Sequence, residues 1–411
     1  MQLAAALAKH LLLTDIGEDW LRNFAEGDRP AARELVAALS LVSHNEFERG
    51  LNRLVVGLAQ EVTGAVALYG ARELPNGLNL EPTAPASVDA TPRGGDIGSE
   101  GRVASLIRGI CRSRPRKLLN HPTLNELRQQ RVDVVLVLDD FIGSGERCTE
   151  YLNAVWEYPS VKSWVSYKAM RFVVAAYAGA SDGIRRVQRH PAHPSVEVVR
   201  HCPTVKGLIW EQSRIDRVHN LCHRYAKVKK LYGPPLGYQD TGALLVFEHG
   251  CPNNAPAVLW AASKNDAEWQ PLFSARSVEA SMLSAFPPEI ARRDPVHSLV
   301  EAGQKRMAGS MRHVIERPLP ADIIVALTLI WRGRRRKESI ADATGLTARE
   351  VENLLERCIA AGLISPLHRI TGIGEKEIRG IRASTASSAT ARVALGSDEY
   401  HPTALRSRIG G

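Results

Sequence analysis

VDVVLVLDDFIGSGERCTEYL, residues 132–152, is an apolar run that closes on two adjacent carboxylates, Asp139 and Asp140, then turns through Gly143, Ser144 and Gly145 into an amphipathic segment. A run with no polar alternation needs cover on both faces, which is the condition of a strand inside a parallel sheet. Similar short runs at 65–69, 171–177, 196–199 and 243–247 alternate with helix-period segments, so residues 61–275 read as one α/β domain with a mostly parallel sheet. Residues 1–60 carry helical spacing instead, as in Leu35, Val36, Leu39 and Phe47, Leu51, Leu54, Val55, and read as an N-terminal helical layer without strands. Residues 276–318, broken by Pro287, Pro288 and Pro295, read as a connector, 319–383 as a small helical module, and 384–411 as a flexible tail.

Composition narrows the classes. The 411 residues are 44% hydrophobic and 24% charged, and no apolar run approaches the roughly 18 residues of a membrane span, so the expectation is a soluble protein without membrane contact. Six cysteines without paired spacing point to a reducing compartment and a cytoplasmic location. The formal net charge is +9, of which +6 lies on residues 301–411. Such a balance suggests a polyanionic partner, although charge alone favours a solvated basic face.

In the basic module, 321–331 reads as an apolar helix and 338–344 as a short helix closed by Gly345. Thr347 and Glu350 form a capping box for a third helix reaching residue 361. The sequence GLISPLHRITGIGE then places a Pro-containing turn between two short runs, as in a hairpin. The whole resembles a winged helix-turn-helix. By that resemblance Arg349, Glu352, Asn353 and Arg357 would face DNA bases or phosphates, with Arg369 on the wing, and WRGRRRK at 331–337 would add phosphate contacts. Winged helices also dock proteins, so a protein partner stays open.

The chemistry lies at the acids. Ligands of open α/β sheets sit at the carboxyl ends of strands, a Gly/Ser turn at a helix start offers N–H groups to phosphate, and paired acids suit sugar hydroxyls or hydrated Mg2+. A phosphorylated ribose has both features. The segment closely resembles the binding motif of type I phosphoribosyltransferases, and the resemblance implies that Asp139 and Asp140 hold the ribose hydroxyls of phosphoribosyl pyrophosphate with Mg2+ while Gly143, Ser144, Gly145, Glu146 and Arg147 wrap its 5′-phosphate. Two departures stand out: Gly143 replaces an acid common in purine-salvage members, and Arg147 replaces the usual hydroxyl residue. In the turn YGARE, 69–73, Arg72 would meet the pyrophosphate, and the Gly/Pro-rich stretch 75–101 would shield the reacting carbon.

Together with GSE at 98–100, GY at 237–238 and HGCPNNAPAVLW at 249–260, the pattern is similar to a divergent phosphoribosyltransferase-like group of prokaryotic conflict systems, some of them retron-linked. It implies a PNN turn lining the acceptor side, an antiphage effector acting on a nucleotide or nucleic acid, and a partner such as a reverse transcriptase. The alternative is a winged-helix transcription regulator that senses phosphoribosyl pyrophosphate without transferring it. HxxCH at 219–223 is read as packing and solvated charge rather than zinc, and no Walker lysine supports ATP hydrolysis.

Overall fold

The computed structural model describes residues 8–74, 99–287, 295–312 and 319–382. The tail at 384–411 and most of the shielding stretch at 75–101 therefore lie outside the described residues, as do parts of the connector. Among the described residues there are seven strands: β1 (Ser40–Val42), β2 (Ala65–Gly70), β3 (Leu118–Asn120), β4 (Val132–Ile142), β5 (Arg171–Gly179), β6 (Ser195–His201) and β7 (Leu245–Phe247). Five form one parallel sheet in the order β3-β2-β4-β5-β6.

The unalternated apolar run of β4 now has its cause. Val134, Leu136 and Leu138 point to one face and pack with Phe47, Leu51 and Val55 of the helix His44–Gln60 and with Val103 and Ile107 of the helix Ser99–Ser113. Val135 and Val137 point to the other, against Tyr151, Leu152 and Val155 of the helix Glu146–Trp156. Both faces are covered, so neither tolerates polar residues.

Two strand readings need correction. The run at 243–247 does not join the main sheet; β7 pairs in parallel with β1, Ser40 opposite Leu245, as a separate two-stranded sheet. The N-terminal layer thus contains a strand, whose three residues are too few to show a period of two. β3 was also missed for its shortness, although it extends the main sheet through Val66 opposite Leu118. Within the layer the helix His44–Gln60 covers the main sheet, whereas the helices before β1 pack away from it: Trp20 donates its indole N–H to the Val258 carbonyl at 2.7 Å, and Phe24 meets Tyr225 edge-on at 4.7 Å.

The carboxy-terminal module has helices at Ala321–Trp331, Lys337–Thr344 and Ala348–Ala360. Gly345 is left-handed at φ 71°, and Thr347 and Glu350 make the reciprocal capping box. The hairpin is smaller than its sequence suggests. It consists of one antiparallel bridge, Ile364 to Ile370, and residues 372–382 turn into a helix rather than a longer strand.

This module closes an open sheet edge. The helix Lys337–Thr344 is buried along its length against β6 and the segment 205–210. Ser339 donates to the Gly207 carbonyl at 2.9 Å, Arg334 donates to the carbonyls of Leu208 and Trp210, and Arg200 donates to the Gly345 carbonyl at 3.3 Å. Edge strands need such cover because their unpaired N–H and C=O groups otherwise recruit other chains. One buried apolar cluster runs from the N-terminal helices through 205–286 into the winged helix.

Candidate active site

Strand order decides where the site falls. From β2 the chain crosses outward to β3, and from β4 it crosses to β5 on the opposite side. The crevice between the carboxyl ends of β2 and β4 is therefore the switch point at which open α/β sheets hold ligands. β2 leaves the ladder at Gly70, opposite Leu138, whereas β4 continues along β5 to Ile142, opposite Gly179. Asp139 and Asp140 thus lie within the strand rather than past its end. They are the first residues of β4 that have lost their neighbour on the β2 side.

Both carboxylates are buried, at 3% and 7% exposure, and share one counter-ion. Arg147 Nε and Nη2 donate to the two oxygens of Asp139 at 3.1 and 2.6 Å, and Nη2 also reaches Asp140 Oδ1 at 3.0 Å. His249 Nε2 stands 3.5 Å from Asp140 Oδ2, its ring stacked on Phe247 at 4.7 Å. The backbone N–H of Asp140 donates to Asp139 Oδ1 at 2.9 Å, and the Cys148 thiol donates to Asp139 Oδ2 at 3.4 Å.

This asymmetry splits the pair electrostatically. Burial pushes the Asp139 carboxyl up, by more than Arg147 pulls it down. Burial works on Asp140 in the same sense, but His249, Arg147 and Asp139 outweigh it and hold Asp140 below the usual carboxylate range.

The turn 143–147 is set by close backbone contacts. A Cβ on Gly143 would lie 2.2 Å from Asn254 Oδ1, and Gly145 is left-handed at φ 76° as the N-cap of the helix Glu146–Trp156. The missing acid at Gly143 therefore has a steric cause: Asn254 occupies the space. Asn254 is itself fixed, donating to the Tyr238 carbonyl at 3.2 Å and to Thr241 Oγ1 at 3.0 Å. Glu146, whose charge would oppose a phosphate, is drawn aside by the Tyr238 hydroxyl, by Gln239 at 3.1 Å and by Arg186 at 3.4 Å.

The scattered motifs converge. Glu100 of GSE, residues 139–148, Tyr238 of GY and Asn253 and Asn254 of the PNN turn line one open cleft of about 810 Å3. Arg72 does not join them. It is exposed, and Glu73 and Leu74 line the cleft from its turn instead. Two residues went unread: His249 behind Asp140, and Arg276, a cation on the cleft wall at the edge of the supposed connector. The only sequence signal for His249 was its place at the head of HGCPNN.

The turn carrying Arg72 is held by a neutral histidine. His121 Nε2 accepts the Gly70 N–H at 3.0 Å, so Nδ1 carries the proton and donates to Asn120 Oδ1 at 2.7 Å. Burial, with help from the Arg72 charge, pushes His121 down to about 4. The unfolded chain binds this proton near pH 6.5, so His121 contributes stability that is full above pH 6.5 and lost as pH falls toward 4. The expected loss is about 2 kcal/mol. Denaturant unfolding at pH 7 and pH 4.5 should show it in the wild type and show a flatter response in His121→Gln.

The residues expected to face DNA are divided. Arg349 and Asn353 line a groove between the third helix of the winged helix, the helix His44–Gln60 and β6, where Arg349 pairs with Glu61 at 3.6 Å. Glu46, Glu197, Glu352 and Glu356 share that groove, with Lys337 bonded to Glu352 at 2.6 Å. Arg357 and Arg369 are exposed and lie outside it. Of the run WRGRRRK, Arg334 is used to hold the two domains together.

Strand order and the acid-bearing turn together define a phosphoribosyltransferase-like α/β domain, here with a winged helix along its sheet edge. The chain belongs to the PRTase-CE family, whose model matches residues 18–274. A second model, described as wHTH-PRTase associated, matches residues 324–407. No curated protein and no solved structure matches. Among the described residues no helix is long and apolar enough to cross a membrane.

Proposed function

We propose that the cleft binds phosphoribosyl pyrophosphate with Mg2+, and that the protein is a prokaryotic conflict-system effector modifying a nucleotide or nucleic acid. The observation that carries the proposal is the pair Asp139 and Asp140 at the switch point, next to a glycine turn that opens a helix. Asp139 and Asp140 would orient the ribose hydroxyls, and the 143–147 turn would take the 5′-phosphate. Arg276 would help neutralise the departing pyrophosphate.

The donor set fits a divalent cation. Among the described residues six carboxylates line the cleft, Glu73, Glu100, Asp139, Asp140, Glu146 and Glu150, against two guanidiniums, Arg147 and Arg276. A polyphosphate ligand needs added positive charge there. No group of three or more His, Cys, Asp or Glu among the described residues could hold a metal by itself. The adjacent pair Asp139 and Asp140 suits Mg2+, which takes one or two carboxylates and completes its shell with ligand phosphates and water. When bound, Mg2+ would stabilise charge developing on the leaving pyrophosphate.

Pyrophosphate release from phosphoribosyl pyrophosphate, measured with Mg2+ alone and with nucleobases, nucleotides and DNA, tests this reading. Release establishes a transferase or hydrolase and directs the search to the acceptor. Binding without release makes the chain a sensor, and the absence of both refutes the proposal.

For the winged helix, the groove that the third helix forms with the helix His44–Gln60 and β6, and the pairing of Arg349 with Glu61, disfavour base reading by that face. Nucleic-acid contact is assigned instead to the outward Arg357 and Arg369. Anisotropy titrations with duplex DNA should show a loss of about threefold to tenfold, with a salt slope reduced by about one, for Arg357→Ala and for Arg369→Ala. Arg349→Ala should bind like the wild type. An Arg349→Ala loss larger than the other two would return the reading face to the third helix.

A further inference from the structure

Arg147 stands where two needs of the same cleft conflict. Its guanidinium makes three hydrogen bonds to Asp139 and Asp140, engaging both oxygens of Asp139 and one of Asp140, while His249 stands by the fourth. A divalent cation or a ribose diol approaching these oxygens must displace the guanidinium. Yet Arg147 is also the last residue of the turn that would hold the phosphate, the second residue of the helix Glu146–Trp156, with its side chain 31% exposed to the cleft. A guanidinium pairs with phosphate as readily as with carboxylate.

Its other acidic neighbours hold it less closely: Glu146 is engaged by Tyr238, Gln239 and Arg186, and Glu100 makes only a long ion pair with Arg147 Nη1 at 3.8 Å. Phosphate in the turn would offer a guanidinium leaving the acids close, paired oxygens that the Glu100 contact does not. Its departure would leave two adjacent buried carboxylates with His249 as their remaining basic neighbour, a strong attraction for a divalent cation.

We propose that Arg147 couples the two halves of the cleft: phosphate in the turn draws the guanidinium off Asp139 and Asp140 and so frees them for the divalent cation and the ribose hydroxyls. The proposal rests on the phosphoribosyl reading of the site. It makes Arg147 a positioning residue that links occupancy of the phosphate turn to cation binding. A ligand without the 5′-phosphate meets acids that are already paired, so the chain selects phosphorylated ribosides over free ribosides. By linkage, the effect of phosphate on cation affinity equals the effect of the cation on phosphate affinity.

The test is calorimetric titration of the full-length chain with Mg2+, with and without saturating inorganic phosphate. In the wild type, phosphate should raise Mg2+ affinity by about fivefold or more, the lower end of ordinary site coupling. In Arg147→Thr, Mg2+ affinity without phosphate should rise by a similar factor and phosphate should no longer change it. Arg147→Lys, which keeps the charge but loses the two-pronged fork, should show a weaker coupling of the same sign, and it serves if the Thr variant fails to fold. Unchanged or lower Mg2+ affinity in Arg147→Thr without phosphate, or coupling that survives the change, overturns the proposal. A parallel titration with phosphoribosyl pyrophosphate separates the two levels. If the wild type takes it up with Mg2+ while coupling is absent, the role of Arg147 alone is wrong; no uptake by the wild type removes the phosphoribosyl reading and the coupling with it.

Discussion

Changing Asp139 and Asp140 together to Asn is expected to lower affinity for Mg2+ with phosphoribosyl pyrophosphate by a hundredfold or more, while the chain stays folded. Hydrogen bonds to charged groups contribute about 1.5–3 kcal/mol each, and two such anchors to the ribose and cation disappear together. Folding should suffer moderately. Asp140 raises Asp139, so neutralising both removes that repulsion, but it leaves Arg147 without the charge partners of its three hydrogen bonds. The Asn oxygens still accept from it and its side chain is 31% exposed, so stability is expected to fall by about 1–3 kcal/mol with the chain still folded. Thermal shift with and without ligand reads both quantities: the ligand-free melting temperature should fall by only about a few degrees, and the ligand-induced rise should vanish. A rise that persists would place the ligand elsewhere.

Gly143→Ala should clearly destabilise the fold. The new Cβ would lie 2.2 Å from Asn254 Oδ1, and Asn254, at 7% exposure, is held in place by two hydrogen bonds. Moving it breaks its bonds to the Tyr238 carbonyl and Thr241 Oγ1. At about 1 kcal/mol per bond, plus the cost of leaving a buried amide unsatisfied, the loss is about 3 kcal/mol. A double-mutant cycle decides whether Asn254 is the cause. Asn254→Ala costs something alone, but the double variant with Gly143→Ala should lose clearly less than the sum of the two single losses. Additive losses would mean that Gly143 is required for another reason.

Much of the architecture was legible because it rests on local chemistry. The both-faced apolar run of β4, the Gly145 turn, the capping box of Thr347 and Glu350 and the Gly345 stop each write their conformation into a few neighbouring residues. The pairing of β7 with β1 was not legible. Strands of three residues show no period, and the partner of β7 lies in a layer of otherwise helical spacing.

The site divides along the same line. Asp139, Asp140 and the glycine turn form one continuous segment and were read directly. Other contributions depend on distant chain crossing the cleft: His249 behind Asp140, Arg276 on the wall, and Asn254 filling the space above Gly143. Gly143 illustrates the point. In the sequence it is an acid lost, whereas in the fold it is the clearance that Asn254 requires. Likewise, the helical face of Arg349 and Asn353 could be read from spacing, but its placement against Glu61 depends on how the winged helix docks along β6.

The central claim is that the β2–β4 crevice is a phosphoribosyl site, and calorimetric titration of the full-length wild-type chain with phosphoribosyl pyrophosphate tests it most directly. The account predicts saturable binding that requires Mg2+, is competed by ribose 5-phosphate but not by ribose, and is absent from the Asp139→Asn, Asp140→Asn double variant. Binding that needs no divalent cation and survives the double change, or no binding at all beside an intact fold, would contradict it.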